Sequence, residues 1–141
     1  MYKILLNIHS TLAFVLIALL ILLIILSIVG LCNPTKKYPL PNLFTLIVSH
    51  IQFLVGLILW FISPIVQELL QNISVSMKDS QSRITLIEHP AVMIFVVSCI
   101  TLGHIKIKHN NNINSLYRQS LLYFGMALLL LLSRIPWNSW L

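Results

Sequence analysis

Charge is what this sequence has least of. Three of its 141 residues are acidic and nine are Lys or Arg, so only 9% of the chain is charged. A water-facing domain surface carries roughly 25–35% of such residues, which excludes an ordinary soluble domain. Cysteine is almost absent. Cys32 and Cys99 make no metal-type spacing, fall at the end of one apolar run and inside another, and are expected as free, small apolar residues rather than as a disulfide framework. A basic stripe with interleaved aromatics is also missing. The formal charge of +6 comes from Lys and Arg standing one or two at a time beside apolar runs, which excludes nucleic acid as a partner and fits topology-setting charges at helix ends. No internal repeat is visible, and the only prolines that could break a span, Pro64 and Pro90, sit near its ends, which argues against a transporter.

What is present is apolar. Hydrophobic residues make up 58% of the chain, and the mean hydropathy is +0.95, so the chain belongs to the membrane class. Four apolar stretches run over about 4–32, 43–66, 86–106 and 119–135. Each reaches or approaches the roughly 20 residues that cross a bilayer core. The first follows a basic residue as in a signal peptide, but is too long for one and is expected to be retained. Asn33-Pro34-Thr35-Lys36-Lys37 and His109-Asn110-Asn111-Asn112 are turn chemistry between spans. The expected fold is therefore all-α, a single membrane domain over 1–141 formed by an antiparallel four-helix bundle. Between the second and third spans lies an interfacial or loop segment, 67–85, and from Ser63 to Arg83 the residues Ile65, Val66, Leu69, Leu70, Ile73 and Met77 recur at helical spacing. A short interfacial helix opened by Pro64, then a polar loop from Lys78 to Ser82, is predicted there. Asn72-Ile73-Ser74 matches a glycosylation sequon, a short and weakly specific pattern. Lys36, Lys37, Lys106, Lys108 and Arg118 stand against Lys3, Lys78, Arg83 and Arg134 on the other side, a bias that places both termini outside, on the periplasmic side of a bacterial inner membrane.

Ionisable groups inside apolar spans cost about 2.5 kcal/mol or more near the bilayer centre and mark functional sites. The third stretch carries Glu88, His89 and His104, and the first carries His9. At 1.5 Å per residue His9 lies about 8 Å and His89 about 6 Å below the same boundary. First and third spans sit diagonally in a square bundle, so these two imidazoles are expected to face each other across the core as axial ligands of a haem. Gly56 is expected at the same level, where a missing side chain would admit a porphyrin edge, and Gln52 lies one turn away on the same face. Arg134 offers a bidentate partner for propionates, with interface anchoring as the equal alternative. Glu88 is expected as an acceptor for a ring N–H or as a proton-carrying group. Trp137 and Trp140 fit an aromatic belt. His50, about 12 Å deep, and His104, within a turn of Lys106, differ too much in depth to share a second haem. His50 is left as an interhelical hydrogen-bonding group, and His109 as a loop residue.

His9 in HSTLAFVLIALL, Gln52-Phe53-Leu54-Val55-Gly56 followed by Pro64, and His89 in EHPAVMIFVVSCI come in that order. They resemble the haem-binding half-bundle of haem A synthase, and the chain is similar to small four-span bacterial membrane proteins described as cytochrome b-like. The resemblance spans His9 to Ile100 and implies one haem b per chain with His9 and His89 as axial ligands. Three departures weigh against synthase activity rather than against haem binding. The extra helix comes last, Ser10 stands where the family often has Arg, and Leu6 stands where the synthase's catalytic half has Glu.

These readings give a first expectation of a b-type cytochrome moving single electrons between a quinol or respiratory partner and other membrane subunits. Two histidines on the iron leave no open position for oxygen chemistry. An electron carrier or subunit is expected rather than a stand-alone enzyme, and no catalytic residue is assigned. The alternatives are a cofactor-free accessory or assembly subunit whose histidines join helices, and a haem-modifying enzyme acting as a homodimer.

Overall fold

A computed structural model of the chain describes residues 1–33 and 41–136. Lys36 and Lys37, and the tryptophans assigned to an aromatic belt, Trp137 and Trp140, lie outside the described residues. Four long helices dominate: α1 (Tyr2–Cys32), α2 (Asn42–Ile62), α6 (His89–Lys108) and α7 (Ile113–Ser133). Between α2 and α6 run three short helices, α3 (Pro64–Gln71), α4 (Ile73–Ser76) and α5 (Ser80–Arg83), and a π-helical turn over Ile84–Glu88. The segments Tyr2–Cys32, Asn42–Ile62, Ser80–Lys108 and Ile113–Ser133 are long and apolar enough to cross a membrane. An all-helical membrane bundle is the fold.

The helices pack as α1 on α2, α2 on α6, α6 on α7 and α7 on α1. That closed ring leaves α1 and α6 as diagonal partners. Its core is a column of Leu20, Leu23, Ile100, Phe124 and Ala127, all sealed from solvent. Phe14, Phe44, Phe61, Phe95 and Leu129 point outward, as lipid-facing residues must. With lipid as apolar as the core, small residues and a few hydrogen bonds hold the helices together. Ser27 of α1 donates to Ser120 of α7 at 2.6 Å, both fully buried. Gly30 meets the buried ring of Tyr117.

Prolines set the boundaries. The second span ends at Ile62 rather than at Val66, because the residue before a proline is pushed out of the helical region. Ser63, before Pro64, is extended (φ −68°, ψ 122°), and its hydroxyl caps α3 by accepting from the Val66 N–H. The interfacial helix expected after the second span is two short helices, α3 and α4. The loop expected from Lys78 to Ser82 is instead interrupted by α5, because the Asp79 carboxylate caps it, accepting from the Ser82 N–H at 2.8 Å and the Ser82 hydroxyl at 2.6 Å. Those two bonds hold the Asp79 carboxyl below its ordinary range.

Pro90 shapes the start of α6. Proline has no N–H, and its ring pushes away the carbonyl four residues back, here that of Leu86. The backbone widens into the π turn just before it, as helices do when this ladder is interrupted. The freed Leu86 carbonyl accepts the indole N–H of Trp60 at 2.9 Å.

Candidate functional site

At the end of the bundle nearest α3–α5, α1, α2 and α6 leave a half-open cavity of about 220 Å³. Its wall includes His9 and Ser10 from α1, Ser49, Gln52 and Gly56 from α2, and His89, Pro90 and Met93 from α6. His9 and His89 therefore reach one cavity from diagonal helices. Val66 and Ser63 close its end, and the Tyr2 hydroxyl lies 3.4 Å from the Ser63 hydroxyl.

Each imidazole has one nitrogen engaged. His89 Nδ1 lies 2.8 Å from the carbonyl oxygen of Arg134. A carbonyl only accepts, so Nδ1 carries the proton and Nε2 keeps its lone pair. On the other side, Gln52 Nε2 lies 3.4 Å from His9 Nε2. The amide N–H donates there, which again leaves the lone pair on Nε2 and the proton on Nδ1. His9 Nδ1 and Gln52 Oε1 are buried with no hydrogen-bond partner among the described residues. A histidine that ligates a metal normally has one nitrogen bare and the other protonated toward an acceptor; His89 presents this state, whereas His9 has the Gln52 amide on Nε2 and no acceptor at Nδ1 among the described residues.

Gly56 makes room, but for a protein group. A Cβ there would lie 2.8 Å from His9 Cε1 and 3.4 Å from its Nδ1, so the imidazole itself occupies the place assigned to a porphyrin edge.

Glu88 and Arg134 take other roles than those expected. Glu88 does not accept a ring N–H; the Arg134 carbonyl does. The Glu88 carboxylate is instead shared between Arg83 Nε at 2.6 Å and Arg134 Nε at 3.1 Å. Arg134 is thereby engaged with an acid of its own chain rather than free for propionates, and neither residue forms part of the cavity wall. Two participants escaped the sequence reading. Arg83, expected at the outer end of the bundle beside Arg134, stands five residues before Glu88 and pairs with it. Pro90 marks the Leu86 carbonyl as one that loses its helix donor, but nothing in the sequence marks Trp60 as the donor that replaces it.

The remaining histidines stand apart from this cavity. His50 is exposed on α2, with Nδ1 2.9 Å from the Leu46 carbonyl of its own helix, so the interhelical bond expected of it is not the contact observed. His104 is half-buried, and its Nδ1 has no partner among the described residues. Cys32 and Cys99 are free; Cys32 is exposed and Cys99 half-buried, neither being the fully buried residue expected. Among the described residues no three His, Cys, Asp or Glu side chains gather as they would around a metal ion held by protein alone. A haem asks less of the protein, needing two axial donors and a slot.

No protein-family model, curated protein or solved structure matches this chain.

Proposed function

We propose that the chain is a membrane b-type cytochrome, holding one haem between His9 and His89 and exchanging electrons with a quinol or a respiratory membrane partner. What supports this is one observation: two imidazoles from diagonal helices line one cavity, both with the lone pair on Nε2. The fit has two conditions. At about 220 Å³ the cavity is smaller than the roughly 300–1,000 Å³ of ordinary ligand clefts, so a macrocycle would need the cavity to widen or would have to extend past its open side. His9 must also give up its bond to Gln52 and turn off Gly56. Both side-chain moves are local to one cavity.

When bound, a bis-histidine haem supplies one-electron chemistry with no open position on iron. The chain's own part is to hold the two rings at one level, keep the tautomers fixed and exclude water with Leu16, Val96 and Leu131. The reading places the protein in a bacterial inner membrane with both termini outside, beside other membrane subunits or a second copy.

A second reading draws on a different observation. Both imidazoles already have protein partners, Gln52 and the Arg134 carbonyl. A cofactor-free subunit would use them to join α1 to α2 and α6 to the end of α7.

A reduced-minus-oxidised absorption spectrum of the purified protein separates the two, with a pyridine haemochrome assay for stoichiometry. The cytochrome reading expects a low-spin b-type band at one haem per chain, lost in His9→Leu and His89→Leu while the protein still inserts. A folded preparation that takes up no haem when supplied with it leaves the subunit reading standing.

A further inference from the structure

Glu88 precedes His89 directly, yet it stays out of the cavity wall and spends both carboxylate oxygens on guanidinium groups. One of these, Arg83, also donates from Nη1 to the Met77 carbonyl at 3.3 Å, which ties the connecting segment to the same carboxylate. The other, Arg134, is the residue at which α7 ends, with φ −130° and ψ 23°. The last carbonyls of a helix have no donor within it and carry the negative end of its dipole. The Arg134 carbonyl is such a group, and it takes the His89 Nδ1–H at 2.8 Å. A helix end frays unless something holds it. Here the Arg134 side chain is held by the residue next to the histidine that its backbone serves. Side chain and carbonyl of one arginine thus close a loop: Glu88 to Arg134, Arg134 to His89, His89 back to Glu88 through the chain.

We propose that Glu88 is a positioning residue for His89: its carboxylate tethers Arg134, and the tethered Arg134 carbonyl fixes the His89 ring with Nδ1–H toward α7 and Nε2 toward the cavity. The purpose of this device rests on the reading of His89 as an axial ligand, but the device exists in the haem-free chain and can be read there. Neither Glu88 nor Arg134 needs to touch a cofactor for the arrangement to matter. An imidazole in the wrong tautomer presents N–H where a lone pair is required.

The test is nitrogen NMR of the full-length, ¹⁵N-histidine-labelled protein in detergent, with the His89 signals assigned by their loss in His89→Gln. The wild type should show His89 as one dominant tautomer protonated on Nδ1. Glu88→Gln removes the charge and keeps the shape; Arg134→Met removes the tether and keeps the carbonyl. Each should lower the ratio of Nδ1–H to Nε2–H severalfold, and the double variant should lower it no further than either alone. A His89 ring that stays protonated on Nδ1 in both single variants overturns the proposal. So does a double variant whose effect is the product of the two, since that means independent action. The readout does not depend on bound haem, so a protein that takes up none ends the cytochrome reading without touching this result. In haem-loaded protein the same variants should turn one low-spin species into two, visible by electron paramagnetic resonance, where a residue needed only for folding would lower the yield of a single species.

Discussion

The imidazole of His9 lies where a side chain on Gly56 would begin: a Cβ at position 56 would sit 2.8 Å from His9 Cε1. Gly30 and Tyr117 repeat the relationship at the other end of α1, where a Cβ would run into the face of the phenol ring. The two sites differ in what can give way. His9 is half-buried beside a cavity, whereas Tyr117 is fully buried. Gly56→Ala should therefore cost near the low end of overpacking, about 1 kcal/mol, and Gly30→Ala about 3 kcal/mol. Thermal unfolding in detergent compares them, and an equal or reversed order sinks the account. Gly56→Ala should also turn His9 away from Gln52.

Ser27 and Ser120 join α1 to α7 through a 2.6 Å bond in the sealed core. Such bonds between membrane helices average about 0.6 kcal/mol, with a ceiling near 1.7 kcal/mol. Ser27 Oγ also lies 2.6 Å from the Leu23 carbonyl of its own helix, so its single hydroxyl proton is shared between two acceptors and turns to that carbonyl in Ser120→Ala. A double-mutant cycle of Ser27→Ala with Ser120→Ala should return a coupling of about 0.6 kcal/mol; a value near zero means the contact is packing alone.

The four apolar runs made the bundle legible before any coordinates, because spanning a bilayer requires long uninterrupted apolar helices and little else. Counting residues puts His9 and His89 on diagonal spans near one end of the bundle, and both line one cavity. What could not be read was which atom answers which. His89 lies forty-five residues from the Arg134 carbonyl it contacts, and no side-chain pattern announces a backbone acceptor. A glycine such as Gly56 marks a place where something can approach the backbone closely, but sequence does not say whether ligand or protein fills the space, and here it is the His9 ring. The second span stops at Ile62 rather than at Val66 because the apolar run continues to Val66 while the helical backbone does not pass Ser63-Pro64.

Trp60 offers a test of how proline at position 90 is accommodated. Its indole N–H satisfies the Leu86 carbonyl that Pro90 frees. Trp60→Phe keeps a ring and leaves that carbonyl without its donor, at a cost of about 1–3 kcal/mol. In a Pro90→Ala background, residue 90 regains an N–H that can bond Leu86, so the same Trp60→Phe change should cost far less. Unfolding of the four proteins of this cycle decides it, and an unchanged cost in the Pro90→Ala background means Trp60 acts only by its bulk.

Gln52 decides between the two functional readings by the sign of its effect. It is 8% exposed, and its amide occupies His9 Nε2, the nitrogen an iron would take. On the cytochrome reading the amide competes with the metal, and Gln52→Leu removes the competitor while keeping similar bulk. A typical membrane hydrogen bond of about 0.6 kcal/mol corresponds to about threefold in an equilibrium constant. Apo Gln52→Leu should then take up haem about threefold more tightly than the wild type, while His9→Leu takes up none. On the subunit reading the same substitution removes a bond between α1 and α2 and lowers stability by about 0.6 kcal/mol, with no haem spectrum in either protein. Haem titration of both proteins, followed by absorption, gives the sign. Weaker uptake by Gln52→Leu than by wild type means that Gln52 supports the bound state and does not compete with it.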